Sequence, residues 1–180
     1  MHEHQPPQNI DLTMHQLFLD SLLIEWNLNT DYAAKLVADL TPEQMVHQPG
    51  TDAGPGLNHP AWVLSHLHAY HPVIVALLQG ESFEDPKHHK FGMLSKPEPD
   101  ASVYPAKDEL VSAYAAGRAS VVEALLEVSA ETLEAPMPLE RWVGKFPRRG
   151  SILPYLMAHH ESLHLGQLSA WRRVQGLPAV

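Results

Sequence analysis

Apolar residues recur every three or four positions along four long stretches of the chain, the spacing of amphipathic helices. No stretch shows the period of two that marks a half-buried strand. The first helical stretch runs from Leu12 to Asp39 and carries Leu17, Leu22, Trp26, Leu36 and Val37 with no internal Gly or Pro. It stops before Thr41-Pro42-Glu43-Gln44, where Thr suits an N-cap, Pro the first helical position and Gln a capping box, so one short turn is predicted there. A Gly- and Pro-rich loop spans Pro49 to Pro60. The second helix then runs to Gln79 and stops at Gly80, and Pro72 inside it predicts a kink. A polar connection from Glu81 to Pro105 holds four prolines. The third helix covers Ala106 to Ser129, weakened slightly by Gly117, and the fourth opens at Ser151 and reaches Gln175, ahead of Gly176 and Pro178.

Four amphipathic helices bury their stripes most simply against one another. The predicted fold is all-α: a four-helix bundle with a long crossover between helices 2 and 3, in a single domain over residues 1–180. Residues 1–10 read as a flexible tail. At 180 residues and 44% hydrophobic content the chain can build one sizeable core without staples.

Charge narrows the partners. The net charge of −9 argues against binding nucleic acid through phosphates. The balance is uneven, because residues 141–180 hold Arg141, Lys145, Arg148, Arg149, Arg172 and Arg173 against Glu161 alone. A small anionic ligand near that end is one reading, and ordinary surface charge is the other. No signal-peptide pattern opens the chain, and no apolar run approaches the roughly 20 residues of a membrane span. A soluble, cytoplasmic protein without a membrane partner is expected. Cysteine is absent, which removes thiolate metal sites and cysteine nucleophiles and leaves His, Asp and Glu as ligands.

The 13 histidines carry the candidate chemistry. His2 and His4 in the tail, and the pair His88 and His89, read as incidental. On the fourth helix the apolar stripe is Leu153, Leu156, Met157, Leu168, Trp171 and Val174. His160, His164 and Gln167 fall inside it, whereas His159 does not. An i, i+4 imidazole pair on one face suits two nitrogens converging on one cation. The second helix has the stripe Val63, Leu67, Tyr70, Ile74 and Leu77. His66 lies about 60° from its centre, His71 about 80° off on the other flank, and His68 well away, so His66 is the third candidate. His59, just before Pro60, reads as a cap.

Residues 160–164 also spell the H-E-x-x-H pattern of zinc peptidases. No Asp, Glu or His follows His164 to serve as a downstream ligand, and the strand-built cleft of a peptidase is missing. Glu161 projects about 80° from the stripe centre, which suits a supporting or solvated residue better than a base above a metal.

The run His160-Glu161-Ser162-Leu163-His164-Leu165-Gly166-Gln167-Leu168, followed by Arg172-Arg173 and Gly176-Leu177-Pro178, resembles the last helix of the DinB/YfiT-like superfamily. His59-Pro60-Ala61-Trp62-Val63-Leu64-Ser65-His66-Leu67 resembles its second helix, and with Leu40 to Gln44 the similarity spans nearly the whole chain. The resemblance implies a four-helix bundle, often dimeric, with a three-histidine site for a divalent cation such as Ni2+ or Zn2+ on His66, His160 and His164. It also implies a metal-dependent transferase using a low-molecular-weight thiol and a small-molecule substrate. Three imidazoles leave at least one coordination position free, and an open cation lowers the pKa of a bound thiol or water. Gln167 is then a candidate for orienting a ligand, and Arg141, Lys145, Arg148 and Arg149 for holding the carboxylates of a thiol cofactor. A bundle in which the cation merely ties two helices together, and a metal hydrolase, are the alternatives.

Overall fold

The computed structural model describes residues 8–50 and 56–180. Seven α-helices occur among them: α1 (Gln8–Ala38), α2 (Pro42–Met45), α3 (Pro60–Gln79), α4 (Lys107–Glu127), α5 (Ala130–Glu134), α6 (Glu140–Val143) and α7 (Glu161–Val174). Among the described residues there is no strand, only an isolated bridge between Pro136 and Arg148. The four long helices are the four that the periodicity predicts, and the chain is all-helical as expected.

The helix ends follow local chemistry. Thr41 caps α2 through the full capping box: its hydroxyl accepts from Gln44 N–H, and the Gln44 side chain accepts from Thr41 N–H. Gly80 ends α3 in the left-handed conformation at φ 76°, where its N–H reaches the carbonyls of Ala76 and Leu77. The helix stays continuous through Pro72. Gln8 to Ile10, expected in the tail, are already helical, whereas His2 and His4 lie outside the described residues. The third helix stops at Glu127 rather than Ser129, because Val128 turns extended (ψ 133°) and Ser129 caps α5 instead.

Two apolar clusters fill the bundle. One gathers Leu22, Trp26, Ile74, Leu77, Val121, Leu125, Leu156 and Met157, and the other Leu36, Trp62, Leu67, Leu110, Leu165, Leu168 and Trp171. Along the chain the buried polar residues Arg118, His160, Glu161 and His164 fall between members of the two clusters, and His66 lies among members of the second. Two expected stripe residues are corrected: Leu17 is 54% exposed and Val174 62%. Leu17 points outward from α1 while its neighbours Phe18 and Leu19 pack on the core, and Val174 is the last residue of α7.

The expectation that no segment has the length and apolarity of a membrane span is also corrected. The 20 residues of α3 meet that criterion by composition, yet 78% of the apolar window is buried inside the protein. This apolarity has a core origin, since α3 packs against α4, α5 and α7 at once.

Helices α3 and α4 approach closely because residue 117 has no side chain. A Cβ on Gly117 would lie 2.3 Å from His71 Nδ1 and 2.9 Å from His68 Nδ1. The glycine costs helix propensity and gains this contact.

Candidate metal centre

Helix α7 is preceded by a 3-10 turn (Gly150–Ile152) and a π-helical turn (Tyr155–His160). The wider turn ends on His160, and the chain continues as regular α-helix to His164. Such insertions rotate the following side chains and often accompany functional sites. His160 and His164 remain on one face, and both point toward His66 on α3.

The three histidines meet in the core. Each offers a nitrogen within 4.8 Å of the other two. The residues are 4%, 8% and 8% exposed for His66, His160 and His164. The Nε2 atoms of His66 and His160 are 3.0 Å apart. Two imidazole nitrogens bound about 2.0–2.1 Å from one cation at angles of 90–109° would be separated by about 2.9–3.4 Å, so this spacing fits a shared ion.

The outer nitrogens are already committed. His66 Nδ1–H donates to the Phe91 carbonyl at 2.6 Å, and His164 Nδ1–H donates to Gln167 Oε1 at 3.0 Å. Gln167 Oε1 also accepts from Asn58 Nδ2 at 3.0 Å, which orients the amide. Both imidazoles are thereby held in the tautomer whose Nε2 carries a lone pair, the arrangement that supporting hydrogen bonds give to metal-binding histidines. Trp62 stacks on the His66 ring (4.7 Å, 13°), and Tyr70 lies against both His66 and His160.

Burial keeps the trio neutral. It pushes His66 down to about 4 and His160 to about 3, with the positive charge that His164 would carry as the next cause in each case. His164 is lowered for the same first reason. Neutral imidazoles are the form that binds metals. The donor set, its spacing and the two fixed tautomers, of His66 and His164, therefore fit a divalent cation.

Glu161 is not among the clustered donors and is not solvated. It is 2% exposed and forms a buried ion pair with Arg118 (Nη1 to Oε2, 2.8 Å). Tyr114 OH donates to the same oxygen at 2.9 Å, and His71 Nε2 lies 3.6 Å from Oε1. Arg118 donates in turn to Thr30 Oγ1 and the Trp26 carbonyl and stacks on the Trp26 ring at 3.6 Å. This network escapes sequence reasoning because its members lie on α1, α3, α4 and α7; an Arg in the middle of an apolar helix was its one visible sign.

The remaining candidates find other roles. His59 caps α3, accepting from Trp62 N–H at Nδ1 and placing Nε2 3.0 Å from the Glu98 carbonyl. His159 is exposed and stacks on Tyr155, while His68 and His71 face each other away from the trio. The expected carboxylate-binding arginines are already occupied. Arg141 grips Asp85 with two bonds of 2.6 Å, Arg148 pairs with Glu134, and Arg149 donates to the carbonyls of Ala76 and Glu81.

The architecture and the buried trio define a helical bundle with a three-histidine cluster able to hold a metal ion. The DinB superfamily matches the chain over residues 25–168, and the chain belongs to that superfamily. No curated protein matches it.

Proposed function

We propose that His66, His160 and His164 bind a divalent cation, nickel or zinc, and that the protein is a transferase acting on small molecules in the cytoplasm. When bound, the cation would acidify a low-molecular-weight thiol and present its thiolate to an electrophile. The observation that carries this reading is the paired orientation of His66 by the Phe91 carbonyl and of His164 by Gln167, which leaves two lone pairs aimed at one space.

The chain's own residues do three things in this reaction. The three imidazoles stay neutral through burial, so no proton competes for the nitrogens near neutral pH. Trp62 and Tyr70 wall the site with aromatic surface and exclude bulk water. Three protein ligands leave at least one position for the thiol, which must come from outside because the chain contains no cysteine.

One observation favours the alternative of a cation that only joins α3 to α7. His66, His160 and His164 are 4%, 8% and 8% exposed, so little of the trio faces an incoming substrate. A homodimer belongs to the proposal as well. Met14, Leu17, Ile24 and Leu28 expose more than half their surface along one stripe of α1, a face suited to a second copy. No role in binding nucleic acid or membrane is proposed.

The test begins with elemental analysis of tag-free protein purified without metal-affinity resin. About one equivalent of nickel or zinc is expected in the wild type and none in His160→Ala/His164→Ala. The loaded protein is then assayed for thiol consumption against epoxide, alkyl halide and activated-alkene panels. Metal binding without thiol-dependent turnover would select the structural alternative, and failure to load would reject both.

A further inference from the structure

Helix α3 carries a second imidazole pair. His68 follows His66 by two residues, about 200° around the helix, so it turns from the trio toward α4. His71 lies one turn further along the same face. Their Nδ1 atoms are 3.4 Å apart. A cation bound about 2.1 Å from each nitrogen at a tetrahedral angle would set the same separation.

Gly117 on α4 keeps the space beside these nitrogens clear. A Cβ there would lie 2.3 Å from His71 Nδ1 and 2.9 Å from His68 Nδ1, so the missing side chain leaves a notch that both nitrogens border. His68, His71, Gly117 and Ser120 line a pocket of about 280 Å3 at the same place, and the half-buried His68 gives an ion a way in.

The tautomer of His71 is set from behind. The residue is 2% exposed, and its Nε2 faces Glu161 Oε1 at 3.6 Å, whereas Arg118 and Tyr114 bond the other carboxylate oxygen. A bare Nε2 lone pair would be repelled by the carboxylate, so Nε2 carries the proton and Nδ1 turns its lone pair toward His68. A carboxylate behind a histidine is the support that metal-binding imidazoles use. Nε2 is buried and too far from Glu161 for a hydrogen bond. A cation on Nδ1 would polarise the ring and draw this N–H toward its acceptor. Burial also lowers both imidazoles, which keeps them in the neutral form that binds metals.

We propose that the Nδ1 atoms of His68 and His71 hold a second divalent cation of the zinc class beside Gly117, with water completing its coordination. Without the cation, His68 Nδ1–H donates to His71 Nδ1. The cation takes that proton's place, and the proton moves to His68 Nε2, so neither ring changes charge. The site shares no ligand with the trio and does not rest on the transferase reading.

The probe is Zn2+, titrated calorimetrically into the full chain after chelation and desalting. Wild type should take up two equivalents and His68→Gln one. His160→Ala/His164→Ala should keep one equivalent, which adding His68→Gln removes or weakens at least about tenfold. Failure of the trio to load therefore leaves the His68-dependent equivalent standing. Thermal melts verify each fold, and if the trio variant does not fold, the difference between wild type and His68→Gln still decides. Long-range 1H–15N spectra should show the Nδ1 atoms of two rings shifting in the His68-dependent step. The inference is overturned if stoichiometry and affinity are the same in wild type and His68→Gln, or if no His68-dependent uptake occurs by about 100 μM Zn2+. It is equally overturned if that step moves Nε2 resonances instead of Nδ1, which would assign the ion to other histidine faces.

Discussion

Gln167 Oε1 sits 3.0 Å from His164 Nδ1 and 3.0 Å from Asn58 Nδ2, so one amide oxygen links a candidate metal ligand to the loop ahead of α3. Replacing it should loosen the ligand without removing it. Gln167→Leu is expected to weaken metal affinity about 10- to 100-fold, the usual cost of a lost supporting hydrogen bond. Chelator competition measures this directly, and unchanged affinity would mean that Gln167 only packs.

Gly117 touches the His71 ring through backbone alone. Gly117→Ala places a methyl 2.3 Å from His71 Nδ1, and His71 is 2% exposed with nowhere to retreat. Helix propensity favours Ala by about 1 kcal/mol, whereas overpacking costs about 1–3 kcal/mol or more. The clash should win, and urea unfolding should show a lower midpoint. A more stable variant would show that α3 and α4 can separate freely.

The Arg118–Glu161 pair predicts asymmetric mutant effects. Arg118→Met leaves a buried carboxylate without its cation and should destabilise by about 3–5 kcal/mol. Arg118→Met/Glu161→Gln removes both charges and should recover part of that loss. Equal losses in single and double variants, compared by denaturant melts, would show that the ion pair itself is not what matters.

Acid should unfold the metal-free protein early. The trio titrates near 6.5 when unfolded, but burial lowers all three imidazoles in the folded state, with His66 at about 4 and His160 at about 3. The unfolded chain therefore binds more protons between those limits. Stability should be level above about pH 6.5, fall as pH drops toward 4, and flatten below about 3 for these groups. His160→Gln should show a shallower decline in thermal midpoint over this window. A parallel decline in both proteins would place the sensitivity elsewhere.

A saturating cation should raise the melting temperature, because it binds the folded trio better than the unfolded chain. At 100 times its dissociation constant the gain is about 2.7 kcal/mol. Differential scanning calorimetry with and without nickel or zinc measures it, and His160→Ala/His164→Ala should show no shift.

What could be read from the chain alone was local. Helical periodicity located the four long helices, the capping box at Thr41 and the stop at Gly80. A single-helix projection put His160 beside His164 and turned His66 toward the core, because a regular helix makes spacing along the chain equivalent to direction in space. Even there the projection missed the π turn, which depends on packing around Tyr155 to His160.

Everything that requires two distant segments was decided by tertiary structure. The Phe91 carbonyl reaches His66 only because the crossover folds back over α3. Glu161 looks half-solvated on its own helix and is buried because Arg118 arrives from α4. Arg141, Arg148 and Arg149 read as free cations until the fold supplies Asp85, Glu134 and the Ala76 and Glu81 carbonyls. Hydrophobic pattern repeats every turn and survives averaging along the sequence, whereas a specific hydrogen bond depends on the position of one atom in another element and leaves no periodic trace.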